Sequence, residues 1–151
     1  MNKEIKLSVL DQSPIKSGSD AYAAIQETVD LANLCDSLGY SRYWLAEHHA
    51  SDALAGCSPE VLLGRIGAET ESIRLGSGGI MLPHYSPYKV AENFKILEAL
   101  YPNRIDLGVG RAPGTDPFTA AAIRYGSQVG PEYFPNMVLD LQALLNDDDP
   151  I

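Results

Sequence analysis

Short apolar runs alternate along this chain with longer stretches whose apolar residues recur every three or four positions. The short runs are Ile5 to Leu10, Arg42 to Ala46, Ile73 to Leu82 and Arg104 to Val109, and each reads as a buried strand. With Val9, Trp44, Gly76 and Leu107 as markers, the steps are 35, 32 and 31 residues. That beat is what consecutive βα units produce, and it predicts parallel strands joined by helical crossovers.

The intervening helices carry their own punctuation. Ser19 or Asp20 can cap the first, whose face runs Ala21, Ala24, Ile25, Thr28, Leu31, Ala32, Cys35 and Leu38 before Gly39 stops it. Ser58-Pro59-Glu60 opens the second with a cap, a first-turn proline and a carboxylate near the positive dipole end. Pro87 starts the third, with Val90, Phe94, Leu97 and Tyr101 on one face. Pro131 precedes the fourth, with Phe134, Met137, Val138, Leu141 and Leu145 inward, and a shorter helix is expected after Asp116-Pro117. Four units are laid down and no fifth strand follows. A complete eight-unit barrel takes about 250 residues, so the pattern fits either a small open sheet or the first half of a barrel.

Composition narrows the class. With 45% hydrophobic residues over 151 positions, one soluble globular unit with a core is expected. No apolar run approaches the ~18 residues of a membrane span, and the start is not read as a signal peptide. A net charge of −9 argues against nucleic acid and anionic membranes as partners. Asp147-Asp148-Asp149 reads as a solvated run. Cys35 and Cys57, both in apolar pattern, are too few for a disulfide framework, which makes the cytoplasm the default location.

Candidate chemistry gathers at the strand ends. The second strand opens into Glu47-His48-His49, where a carboxylate can orient a histidine that moves protons near neutral pH. A solvated loop start would look the same. Adjacent strand histidines point to opposite faces, so no metal site is expected. The third strand carries Gly76, Gly78 and Gly79, which suits a bulge, a close ligand approach or an unusual peptide geometry. The fourth ends Gly108-Val109-Gly110-Arg111, and Arg111 can grip a phosphate or carboxylate, or else pair with Asp106 or Asp116 in a structural turn.

These motifs together resemble the bacterial luciferase-like family of flavin-dependent oxidoreductases. The matching segments are Leu10-Asp11-Gln12-Ser13-Pro14, Trp44 to His49, Leu75 to Pro83, Ser86-Pro87 with Lys89-Val90-Ala91-Glu92, and Arg104 to Asp116. The likeness runs from about Ile5 to Leu145, with Asn103 where the related branch usually has glycine. It implies that residues 1–151 form one partial domain, the first four βα units of a (β/α)8 TIM-type barrel. It also implies a monooxygenase that uses reduced flavin mononucleotide (FMN) and O2 on a small organic substrate such as an aldehyde. In that reading His48 assists catalysis, the Gly78–Gly79 peptide is cis beneath the flavin ring, Gly110 lies beside the ring and Arg111 meets the flavin phosphate. Further cofactor contacts belong to the missing half, so weak flavin binding by this chain is expected. The family further implies a homodimer through the second and third helices, where Gly64, Gly67 and Ala68 permit close approach, and a flavin reductase as a candidate partner. A deazaflavin cofactor and an inactive, self-associating half-barrel are the alternatives.

Overall fold

The computed structural model describes residues 5–146; the acidic run at positions 147–149 lies outside them. Four strands, β1 (Ser8–Asp11), β2 (Arg42–Leu45), β3 (Arg74–Met81) and β4 (Ile105–Gly110), form one parallel sheet in the order β1-β2-β3-β4. The helices are α1 (Ala21–Ser37), α2 (Pro59–Glu69), α3 (Pro87–Leu100), α4 (Pro117–Arg124) and α5 (Phe134–Leu145). The βα beat read from the pattern is therefore the architecture. β1 starts three residues later than its apolar run suggests, and Ile5, Leu7 and Leu10 are exposed. β1 is an edge strand, so those residues lack the neighbours on both sides that a buried strand would have.

Strand alternation divides the sheet into two faces. Tyr43, Leu45, Leu75 and Ile80 pack against Leu63 and Ile66 of α2, Val90, Phe94 and Leu97 of α3, and Met137 and Leu141 of α5. From α1 the core takes Val29, Ala32 and Cys35, whereas Leu31 and Leu38 of the expected stripe are exposed. Asp20, not Ser19, caps α1 by accepting from Ala23 N–H. Burial raises the Cys35 thiol pKa, as fits a core residue; Cys57, expected to be embedded, is exposed instead. Among the described residues no helix is long and apolar enough to cross a membrane.

The other face carries Leu10, Trp44, Gly76 and Asp106 in register. At its lower end the Asp106 carboxylate accepts from Arg74 (2.6 and 2.8 Å) and Arg42 (2.9 Å). Hydrogen bonds from Arg74, then Arg42, hold Asp106 below the usual carboxylate range.

Two of the strand glycines show why no side chain fits there. A Cβ on Gly76 would stand 2.5 Å from the Trp44 indole, and one on Gly79 would stand 2.8 Å from the Gly108 backbone. β3 and β4 shift register between Ser77 and Ile80, so the bulge reading is correct. The Gly78–Gly79 peptide is cis, as the resemblance implies. Asn103 adopts φ 64°, the left-handed region that asparagine tolerates.

The small residues of α2 also meet a neighbour within the chain. Tyr101 lies across Gly67 and donates to Gly64 O at 2.6 Å where α3 ends against α2.

Glycine substitutions provide a test of this packing. Gly79→Ala should destabilise by about 1–3 kcal/mol, because the methyl meets backbone that cannot rotate away. Gly64→Ala, whose Cβ would meet only Leu97 Cδ2 at 3.9 Å, should stabilise by about 0.4–1 kcal/mol. Urea unfolding of both variants reads the two signs.

Candidate active site

The loops that leave the four strands are joined to one another. Asp11, at the end of β1, accepts from Ser13 N–H, Thr28 and Tyr43 at 2.7–2.8 Å. Its loop pairs with the one after β2 through Ile15 N–H to Ala53 O and Ala55 N–H to Ser13 O. The β4 loop is tied to the β2 loop by His49 N–H to Gly114 O and by Thr115 Oγ1 to His49 O, and to the β3 loop by His84 Nε2–H to Pro113 O at 2.6 Å. The three segments singled out in the sequence thus meet on one rim, at the end of the sheet where parallel α/β proteins carry their chemistry.

Glu47 is the centre of this rim. It is 1% exposed, so the solvated-loop reading fails. Oε2 accepts from Met81 N–H at 2.8 Å; Oε1 accepts from the Tyr85 hydroxyl at 2.7 Å and lies 2.7 Å from His49 Nε2. Burial and the bond to Glu47 raise the Tyr85 hydroxyl pKa far above its ordinary value, so the phenol stays a donor. Neither Tyr85 nor the Met81 amide stands out in the sequence. The one available signal was a tyrosine just beyond the end of an apolar strand.

His48 lies on the same rim, half-buried, its N–H bonded to Gly56 O at 3.0 Å. Its Nδ1 is buried and has no partner among the described residues. Gly78 is exposed beside Leu10 and the base of Trp44. The space a Gly110 side chain would take is filled by Met81, whose Cε is 2.9 Å from the Cβ position. Arg111 pairs with neither Asp106 nor Asp116. Asp106 is engaged by Arg74 and Arg42, and Asp116 caps α4 through Phe118 and Thr119 N–H. Arg111 is exposed, donates through Nε to Pro131 O at 3.2 Å, and borders a cavity of ≈ 210 Å³ with Pro83, His84 and Arg124. Among the described residues no group of three His, Cys, Asp or Glu side chains could hold a metal ion.

The luciferase-like monooxygenase profile matches residues 5–130. This chain belongs to the luciferase-like monooxygenase family. An N-acetyl-S-alkylcysteine monooxygenase of Bacillus subtilis (strain 168) is 49% identical, over 97% of this chain and 44% of the relative. A luciferase-like monooxygenase of Escherichia coli (strain K12) is 46% identical, over 99% and 44%. The chain therefore spans less than half the length of these relatives. Among solved structures, apo-MsnO8 superposes at TM-score 0.91 with 46% identity, over 96% of this chain and 44% of that one. Two others share the fold alone. One is the oxygenating constituent of a Pseudomonas putida 3,6-diketocamphane monooxygenase in complex with FMN, at TM-score 0.74 and 20% identity, over 93% and 38%. The other is an F420-dependent secondary alcohol dehydrogenase, at 0.56 and 16%, over 74% and 33%. The four strands and their helices correspond to part of the luciferase-like TIM-barrel fold.

Glu60, in the first turn of α2, also bears on the rim. Burial raises its carboxyl above the ordinary value near 4.5; the Glu47 charge adds to this and His49 opposes it. The folded protein keeps that proton at pH values where the unfolded chain has released it, so stability falls as pH rises through the interval. Glu60→Gln should remove the loss. Its urea midpoint should match that of the parent near about pH 4 and exceed it by about pH 7. Equal midpoints throughout would show that Glu60 titrates as an exposed glutamate does.

Proposed function

We propose that this chain supplies the N-terminal cofactor-facing half of an FMN-dependent, luciferase-like monooxygenase acting on a small organic substrate such as an aldehyde. The observation that carries this reading is the rim itself. Bare, exposed backbone at Gly78 lies beside the apolar Leu10 and Trp44. The same set of loops carries two histidines, a buried carboxylate and an exposed arginine.

These residues suit a flavin. Leu10, Trp44 and the Gly78–Gly79 backbone offer a flat, mostly apolar surface to a ring system, which a side chain at Gly78 would interrupt. Arg111 offers free guanidinium donors to a phosphate. When bound, reduced flavin supplies the oxygen chemistry; the protein positions it, excludes water and moves protons. His48 is the acid–base residue of this reading.

A deazaflavin is the second reading, because the fold hosts both cofactor types among its solved neighbours. The absorbance spectrum of bound cofactor separates the two. The proposed assembly is a cytoplasmic homodimer through α2 and α3, served by a flavin reductase. Exposed Val61 on α2, and Tyr88, Ile96 and Leu100 on α3, are the apolar surface that supports it.

Two measurements test the site. In the complete protein, His48→Ala should lower the oxidation rate about 10²–10⁴-fold with little change in flavin affinity. Arg111→Ala should weaken FMN binding by about ten- to a hundred-fold while leaving riboflavin, which lacks the phosphate, nearly unaffected. Equal weakening of both ligands would remove Arg111 from the phosphate site.

A further inference from the structure

We propose that Glu47 is a positioning residue that locks His49, not His48, into one tautomer and leaves His49 Nδ1 as a proton-accepting atom of the rim. The inference deepens the flavin-site reading, since it takes this rim as the place where protons move.

Three groups converge on the two oxygens of a carboxylate that is 1% exposed: Met81 N–H at 2.8 Å, the Tyr85 hydroxyl at 2.7 Å and His49 Nε2 at 2.7 Å. An ionised carboxylate only accepts. Met81 N–H can only donate, and the Tyr85 proton has no other acceptor as close: His49 Nε2 is 3.4 Å away. The arrangement is satisfied when His49 also donates, which puts its proton on Nε2. Neutral His49 then has a lone pair at Nδ1, and that atom has no partner among the described residues.

Other groups face His49 without competing for this role. The His84 ring meets it edge-on, with centroids 6.0 Å apart, but His84 Nε2 is committed to Pro113 O. Glu60, on α2, feels the charges of Glu47 and His49. When Nδ1 takes a proton, the Nε2–H bond to Glu47 stays in place. Among the described residues His48 has no carboxylate to orient it, and its buried Nδ1 has no partner. The two neighbouring histidines therefore have separate roles.

The test is spectroscopic and needs no flavin. Long-range ¹H–¹⁵N spectra of this 151-residue chain, recorded where the ring is neutral, should show His49 protonated at Nε2 and bare at Nδ1, with the signals assigned through their loss in His49→Gln. In Glu47→Gln, the amide oxygen stays on Met81 N–H and the NH2 takes the place of Oε1. That group donates to His49 Nε2, so the imidazole proton should move to Nδ1 and the two nitrogen resonances exchange character. A merely structural Glu47 would leave the tautomer unchanged. Tyr85→Phe removes a different donor and should preserve the Nε2–H form. An Nδ1–H tautomer in the parent overturns the proposal without any variant having to fold. So does an Nε2–H tautomer in folded Glu47→Gln, or its loss in Tyr85→Phe. A chain that shows the expected tautomers yet takes up no flavin would sink the flavin-site reading while leaving the role of Glu47 intact.

Discussion

A buried carboxylate is costly unless donors surround it, and at Glu47 that requirement organises the active end of the sheet. The side chain leaves the end of β2 and is satisfied only by reaching the Met81 amide of β3 and the Tyr85 hydroxyl just beyond it. Two strand ends are thereby held at a fixed spacing, and His49 is held with them. The same solution appears one strand earlier, where Asp11 is matched by Ser13 N–H, Thr28 and Tyr43. Removing one partner of such a set would leave a buried charge or donor unmatched, so the rim tolerates little independent movement of its loops.

The rim stands on a sheet whose two faces differ in kind. The helix-covered face holds the aliphatic and aromatic core. The opposite face holds the Trp44 indole, laid where Gly76 has no side chain, and Asp106 paired to both Arg42 and Arg74. The glycines of β3 therefore answer to two separate demands. Gly76 yields space to an aromatic ring, and Gly79 yields it to the backbone of β4 at the bulge. Gly78, by contrast, is exposed beside Leu10 and Trp44.

Arg111 and Glu60 illustrate how a tertiary setting decides between equal local readings. On paper Arg111 could pair with either nearby aspartate, but Asp106 is bound to two other arginines and Asp116 is consumed in capping α4. Its guanidinium is left to face outward. Glu60 sits where a helix dipole would favour a carboxylate, yet burial and the neighbouring Glu47 push its proton affinity up.

The sequence by itself determined the element order, the parallel strands and the rim on which Glu47, His48, Gly78, Gly79 and Arg111 lie. Those features follow from periodicity, capping residues and motif spacing, which are properties of contiguous residues. It did not determine where β1 begins, because an edge strand with one uncovered face looks locally like any other apolar run. Nor did it determine that Val29 replaces Leu31 and Leu38 on the buried stripe of α1, since two similar helical faces differ only in what packs on them. Nor was it visible locally that Tyr101, more than thirty residues away in sequence, lies across Gly67. Above all, the tie from Glu47 to His49, Tyr85 and the Met81 amide was decided by the tertiary structure alone. A buried carboxylate takes the donors that strand packing brings within reach, and two of the three come from a strand end more than thirty residues downstream.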